Sequence, residues 1–220
     1  MNFENMLKNI KICTKEIAEF VKEGHSVSIS HGNGPQVGTL VLQNQHASKI
    51  VSSMPLSVLG AQSQGEIGYL IQQCLMNHLK DYNVTPVSMI TQVEVDRNDD
   101  AFSNPTKPIG KFYTKGEASE LQKEGKCLKQ ASSGVGYRIV VPSPKPKKIV
   151  ESKIIQRASS DQILIIGGGG GIPVYRDDEG NYSGIDCVID KDYVSAMIAK
   201  ERNADVFRLS NFIFNFIFVV

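Results

Sequence analysis

The residues best placed to do chemistry are glycines and lysines. HGNGPQVG, residues 31–38, carries three glycines and an asparagine directly after an apolar alternation. A strand that ends in small residues and gives way to a helix lets backbone N–H groups approach a ligand at the helix's positive end, which makes an anion site. Asn33 adds a neutral side-chain donor. Without a ligand the same residues make a tight strand-to-helix turn. GGGGGIPV, with glycine at 167–171, repeats the pattern after QILII. In an open α/β sheet ligands sit beyond the carboxyl ends of the strands, where these two loops would meet.

Two lysines stand in fixed settings. Lys107 lies between Pro105 and Pro108 in NPTKPIG, so a stiff turn positions its charge. Lys191 lies between Asp190 and Asp192 at an expected helix start. Acids there either cap the helix or, in a sharper reading, Asp192 orients Lys191 and Lys107 towards a phosphate. Lys145, Lys147 and Lys148 in SPKPKKI read as solvated lysines on an extended edge segment. The chain has no GxSxG, HExxH or GxxxxGK[ST] signature. Two anion loops with positioned lysines fit phosphoryl transfer, which needs alignment and charge neutralisation more than a covalent partner.

The elements that must hold these groups are legible. Leu7, Ile10, Ile17, Phe20 and Val21 fall at helical spacing, with Gly24 where such a helix would stop. HSVSIS predicts a short strand into the first loop, and Pro35 suits the first turn of the next helix. Ile67, Leu70, Ile71, Cys74 and Leu75 form one stripe in GEIGYLIQQCLMNHLK. VTPVSMITQVEV reads as one strand. Proline, lysine and turn formers then dominate about 97–148, an excursion from the main sheet with YRIVV as a strand inside it. Helix (IVESKIIQRAS), strand (QILII), a hairpin-like DDEGNYSG, helix (DKDYVSAMIAK) and strand (ADVFRL) follow. Helices alternating with short strands predict an α/β layer fold with a largely parallel sheet.

Bulk properties exclude several classes. The 220 residues are 41% hydrophobic and 21% charged with a net charge of +1, the balance of a soluble globular domain. No overall field draws it to nucleic acid or an acidic membrane. Its four cysteines show no CxxC or Cys/His spacing, so no zinc site is expected and reduced, cytoplasmic thiols are. The start MNFENMLKNIKIC is too polar for a signal peptide, and no apolar run reaches the roughly 18 residues a membrane span needs.

HGNGPQVG, LGAQSQGEIGYLIQQ, DAFSNPTKPIGKFY, GYRIVVPSPKPKKIVE, GGGGIPV and VIDKDYVSAMIA, in this order, closely resemble carbamate kinases of the amino acid kinase superfamily. The resemblance runs over about 17–205. It implies a three-layer α/β/α sandwich around a mostly parallel sheet, with a protruding subdomain at the excursion. It also implies a homodimer that interconverts carbamoyl phosphate plus ADP with carbamate plus ATP, using Mg2+, at the end of arginine breakdown. By the same resemblance Gly32, Asn33 and Gly34 would bind the carbamate or its phosphoryl group, and Lys107 would reach in from the subdomain. Lys191 would neutralise the transferring charge, Asp192 would organise the lysines, and Gly168, Gly169 and Gly170 would lie by the nucleotide. No metal-ligating side chain is singled out. Carbamate is already an anion, so no general base is required.

The resemblance also implies a 1–220 kinase domain shortened at both ends. The family's opening strand with its GGNA loop has no counterpart in MNFENMLKNIK, and the match fades after ADVFRL, before a nucleotide-binding region with a further phosphate lysine. The tail 209–220, ending SNFIFNFIFVV, has the composition of a frameshift or read-through product, or else forms a terminal strand. Ser57 and Asp100 stand where an acid and a proline are expected. Two alternatives accompany this reading: a non-catalytic remnant that only binds anions, and another small-molecule kinase of the superfamily, such as one acting on acetylglutamate, which TKPIG and SPKPKKI disfavour.

Overall fold

The computed structural model describes residues 2–131, 134–209 and 217–219. Of the expected divergent tail, residues 210–216 and Val220 lie outside the described residues. The chain opens with α1 (Phe3–Lys22), whose buried face is Met6, Ile10, Cys13, Ile17 and Val21. The Asn2 side chain caps it by accepting from the Asn5 backbone N–H at 2.9 Å. Then come β1 (Ser28–Ser30), α2 (Gly34–Ala47) with Pro35 in its first turn, and α3 (Leu56–His78). β2 (Thr85–Ser88) and β3 (Gln92–Val95) follow.

The excursion contributes β4 (Lys107–Tyr113), α4 (Lys115–Lys123), β5 (Leu128–Gln130) and β6 (Tyr137–Val141). The chain returns through β7 (Pro146–Ile149), α5 (Ser152–Arg157), β8 (Gln162–Ile165), β9 (Ile172–Arg176) and β10 (Tyr182–Gly184). It continues with α6 (Lys191–Glu201), β11 (Phe207–Leu209) and β12 (Ile217–Val219).

The central sheet has the order β11-β12-β1-β8-β2. β8 pairs in parallel with β1 and β2, while β12 joins β1 and β11 antiparallel. Ile163, Ile165 and Ile29 pack with α1 and α3 on one face, and Leu164 and Ile166 pack with Ile155, Val194 and Ile198 on the other. Side chains alternate between faces along a strand, so consecutive buried residues in β8 mean that helices cover both sides. This is the three-layer α/β/α arrangement. Each fully buried Ile or Leu in it stabilises the fold by about 1.5–3 kcal/mol.

A second sheet, β10-β9-β3-β7, is parallel at β3–β9 and antiparallel at its edges, and β7 with Lys147 and Lys148 is an edge strand. The excursion forms a small antiparallel sheet, β4-β6-β5, with its own core of Ile109, Tyr113, Ala118, Leu128 and Ile139. It rests on α2, where a Cβ at Gly38 would stand 3.5 Å from the Gly110 Cα. Among the described residues no helix is long and apolar enough to cross a membrane.

Three elements differ from the sequence expectation. VTPVSMITQVEV is two strands in two sheets, because the chain breaks at Thr91, whose backbone is taken by the Gln64 side chain. α3 begins at Leu56, well before GEIGYL. Its first turns bury Ser63 and Gln64 against the loops, so no apolar stripe marks them. The helix expected over IVESKIIQRAS is shorter, since Ile149 belongs to β7.

Candidate functional site

The two glycine loops meet as the strand rule requires. β1 and β8 are parallel neighbours, so the residues after each emerge at the same edge. The Gly169 N–H donates to the His31 carbonyl at 2.7 Å and ties the loops together. Gly169 has a φ of +65°, and a Cβ there would collide with the Asn33 side chain, so glycine is demanded twice over. Gly168 and Gly170 are buried beside it.

Behind the loops lies a buried polar scaffold. Gln64 Nε2 donates to the carbonyls of Gly168 at 3.0 Å and Thr91 at 3.2 Å, and Gln64 Oε1 accepts from the Thr91 N–H at 2.9 Å. Thr91 Oγ1 accepts from the Gly167 N–H at 3.0 Å, and Ser30 Oγ donates to the Gly167 carbonyl at 3.1 Å. Asn33 Nδ2 donates to Ser63 Oγ at 2.8 Å, which fixes the amide in the first loop. His31 is fully buried. Its desolvation outweighs the opposing hydrogen bond to the Gly32 carbonyl and brings its pKa down to about 4, so the ring is neutral at physiological pH.

In front of the loops is a cavity of about 270 Å³. Gly32, Asn33, Gly34 and Gly169 line it from the loops, Lys107 and Arg138 from the small sheet, and Lys191 from the start of α6. Its volume is below the roughly 300–1,000 Å³ of drug-sized ligand pockets, which suits a small anion. Three cations and the N-termini of α2 and α6 surround one space, so negative charge is favoured there.

The acids divide their work. Lys107 Nζ pairs with Asp190 Oδ2 at 3.0 Å, and the Asp192 N–H donates to Asp190 Oδ1 at 3.0 Å. Lys191 Nζ pairs with Asp192 Oδ1 at 2.6 Å. Burial works against the Asp190 anion, but the Asp192 N–H, the Lys107 hydrogen bond and the charges of Lys107 and Lys191 prevail and hold its carboxyl below the usual range. Asp192, expected to organise both lysines, pairs in this structure with Lys191, while Lys107 pairs with Asp190. As the residue before the helix, Asp190 meets the small sheet, whereas Asp192 in the first turn reaches only Lys191.

The site joins all three expected first-loop residues, Lys107, Lys191 and Gly169. Arg138, Gln64, Thr91 and Asp190 complete it without having been singled out as functional. Arg138 follows a tyrosine in GYRIVV and reads as an ordinary strand residue. Gln64 lies inside LGAQSQGEIGYLIQQ, where neither its type nor its spacing marks it as functional.

The amino acid kinase family profile matches residues 5–209. The chain is 43% identical to a carbamate kinase of Pyrococcus furiosus, over 94% of this chain and 68% of that protein. It is 48% identical to a carbamate kinase of Haemophilus influenzae, over 94% of this chain and 66% of that protein. The structure of carbamate kinase from Giardia lamblia bound to AMP-PNP superposes with a TM-score of 0.81 at 42% identity, over 93% of this chain and 66% of that one. The chain thus spans about two thirds of the length of these relatives. With that likeness covering both glycine loops, the small sheet and α6, the chain belongs to the amino acid kinase family and, within it, to the carbamate kinases.

Proposed function

We infer that the site transfers a phosphoryl group reversibly between carbamoyl phosphate and ADP, giving carbamate and ATP. The observation that carries this reading is the convergence of Lys107, Lys191 and Arg138 on a small cavity floored by two glycine loops. Gly32, Asn33 and Gly34 hold the carbamate side, and Lys191 and Lys107 neutralise charge on the transferring group. Gly168 to Gly170 form the wall towards the nucleotide. The relative from Giardia lamblia bound to AMP-PNP supports a nucleotide substrate. The acceptor is an anion already, so the cavity needs no general base, and alignment with charge stabilisation supplies the catalysis.

Magnesium enters this proposal with the nucleotide phosphates. Among the described residues no group of three or more His, Cys, Asp or Glu side chains is placed to hold a metal ion. Mg2+ ordinarily relies on substrate phosphates and water in place of an all-protein cage. The reading also includes a homodimer, supported by exposed Tyr69, Met76 and Ile90 around one groove. A cytoplasmic role in arginine breakdown completes it. The test is ATP formation by the purified 220-residue chain from carbamoyl phosphate and ADP, read by luminescence. ATP formation that depends on both substrates supports the reading. No ATP formation by the folded chain would overturn it, whether or not calorimetry shows saturable carbamoyl phosphate binding.

A further inference from the structure

Asp190 joins two parts of the molecule that otherwise meet chiefly through α2. One carboxylate oxygen accepts from the Asp192 N–H and caps α6, the helix that carries Lys191. The other accepts from Lys107 Nζ at 3.0 Å, across 83 positions in sequence, from the first residue of the small sheet. Lys107 would otherwise be a long, freely rotating side chain at the end of an arm, and its ordering would have to be supplied by the ligand. A carboxylate anchored by a helix cap is a fixed reference point for such a side chain. Lys107 keeps further N–H donors for a ligand, since an ammonium has three.

We propose that Asp190 is a positioning residue: it holds Lys107 of the small sheet over the anion cavity and sets it in register with Lys191 through the cap of α6. This rests on the phosphoryl-transfer reading for what Lys107 does once it is placed. The two side chains are 38% and 37% exposed, so water screens the pair. The expected effect of losing it is about two- to fivefold, the range of a partly exposed ion pair.

The test is a double-mutant cycle on the full 220-residue chain with Asp190→Asn and Lys107→Met. Asparagine caps a helix as well as aspartate does, so Asp190→Asn removes the charge and keeps the cap, and the melting temperature should hold. Binding of inorganic phosphate, read by calorimetry, and kcat/KM for ATP formation should each fall about two- to fivefold in Asp190→Asn. Neither should change when the same substitution is made in Lys107→Met. Additive losses in the two backgrounds would overturn the positioning role, because a structural defect at the cap acts whether or not Lys107 is present. Coupled phosphate binding without any ATP formation would support the positioning role and overturn the transfer reading. ATP formation with additive effects would do the reverse.

Discussion

Gln64 and Thr91 clasp one another inside the fold. The Thr91 N–H donates to Gln64 Oε1 at 2.9 Å and Gln64 Nε2 donates back to the Thr91 carbonyl at 3.2 Å, with both residues buried. The same amide reaches the Gly168 carbonyl, so α3 holds the second glycine loop and the junction between two sheets with one side chain. Gln64→Leu keeps the bulk and removes every one of these bonds. The Thr91 N–H would lose its partner in the interior, a cost of about 1–3 kcal/mol for each stranded group. Urea unfolding of Gln64→Leu should show a loss of about 2–4 kcal/mol. An unchanged midpoint would mean that the clasp is not what holds the loop.

His31 makes stability depend on pH. Its folded pKa is about 4 because burial opposes the charged ring, against an ordinary value near 6.5. Above pH 6.5 the imidazole is neutral in both states and its contribution is complete. As pH falls from 6.5 towards 4 only the unfolded chain takes up the proton, and stability declines by about 1.4 kcal/mol per pH unit. Between pH 7.5 and pH 5 the loss is about 2 kcal/mol. Urea titrations of the parent chain and of His31→Gln at both pH values isolate this term. The parent should lose that much more than the variant, and equal losses would refute the assignment.

Gly169 separates folding from binding. An alanine there must adopt a left-handed backbone, at about 1–2 kcal/mol, and push the Asn33 side chain away. Gly169→Ala should keep its helical circular dichroism at 25 °C while its affinity for carbamoyl phosphate falls at least about tenfold, since Asn33 and Gly169 border the same cavity. Undiminished binding would show that the second loop does not shape the anion site.

Much of this was legible in the sequence, and the rest was hidden for identifiable reasons. The α3 stripe through Ile67, Ile71 and Leu75 and the turn at Pro35 follow from local chemistry, and each lies where its spacing placed it. The meeting of the two glycine loops follows from parallel strands. The switch of sheet at Thr91 was invisible because Val87, Met89, Val93 and Val95 keep one phase of the two-residue period across it, and the interrupting partner is 27 positions away. Arg138 reads as one more strand residue until the small sheet folds over α2. Asp190 and Asp192 both adjoin Lys191, and spacing alone cannot tell which faces the small sheet. Only the direction of the helix start decides it.

Lys191 carries the sharpest test of the proposed chemistry. Its side chain is 21% exposed, its Nζ is held by Asp192 at 2.6 Å, and it borders the cavity beside Gly169 and Asn33. A cation fixed in this way interacts most strongly where negative charge builds up, on the phosphoryl group in transfer, and less with a ground state that spreads its charge into water. Lys191→Ala should therefore lower kcat for ATP formation by about two to four orders of magnitude while KM for carbamoyl phosphate moves much less. The fold should survive, because the cap of α6 comes from Asp190 and the Ser195 hydroxyl bonds the Lys191 backbone carbonyl, not its side chain. Lys191→Arg restores the charge on a wider, planar head and should recover only part of the rate. A variant with near-normal turnover would take Lys191 out of the mechanism, and a KM change equal to the loss in kcat/KM would make it a binding group that does not distinguish the transition state.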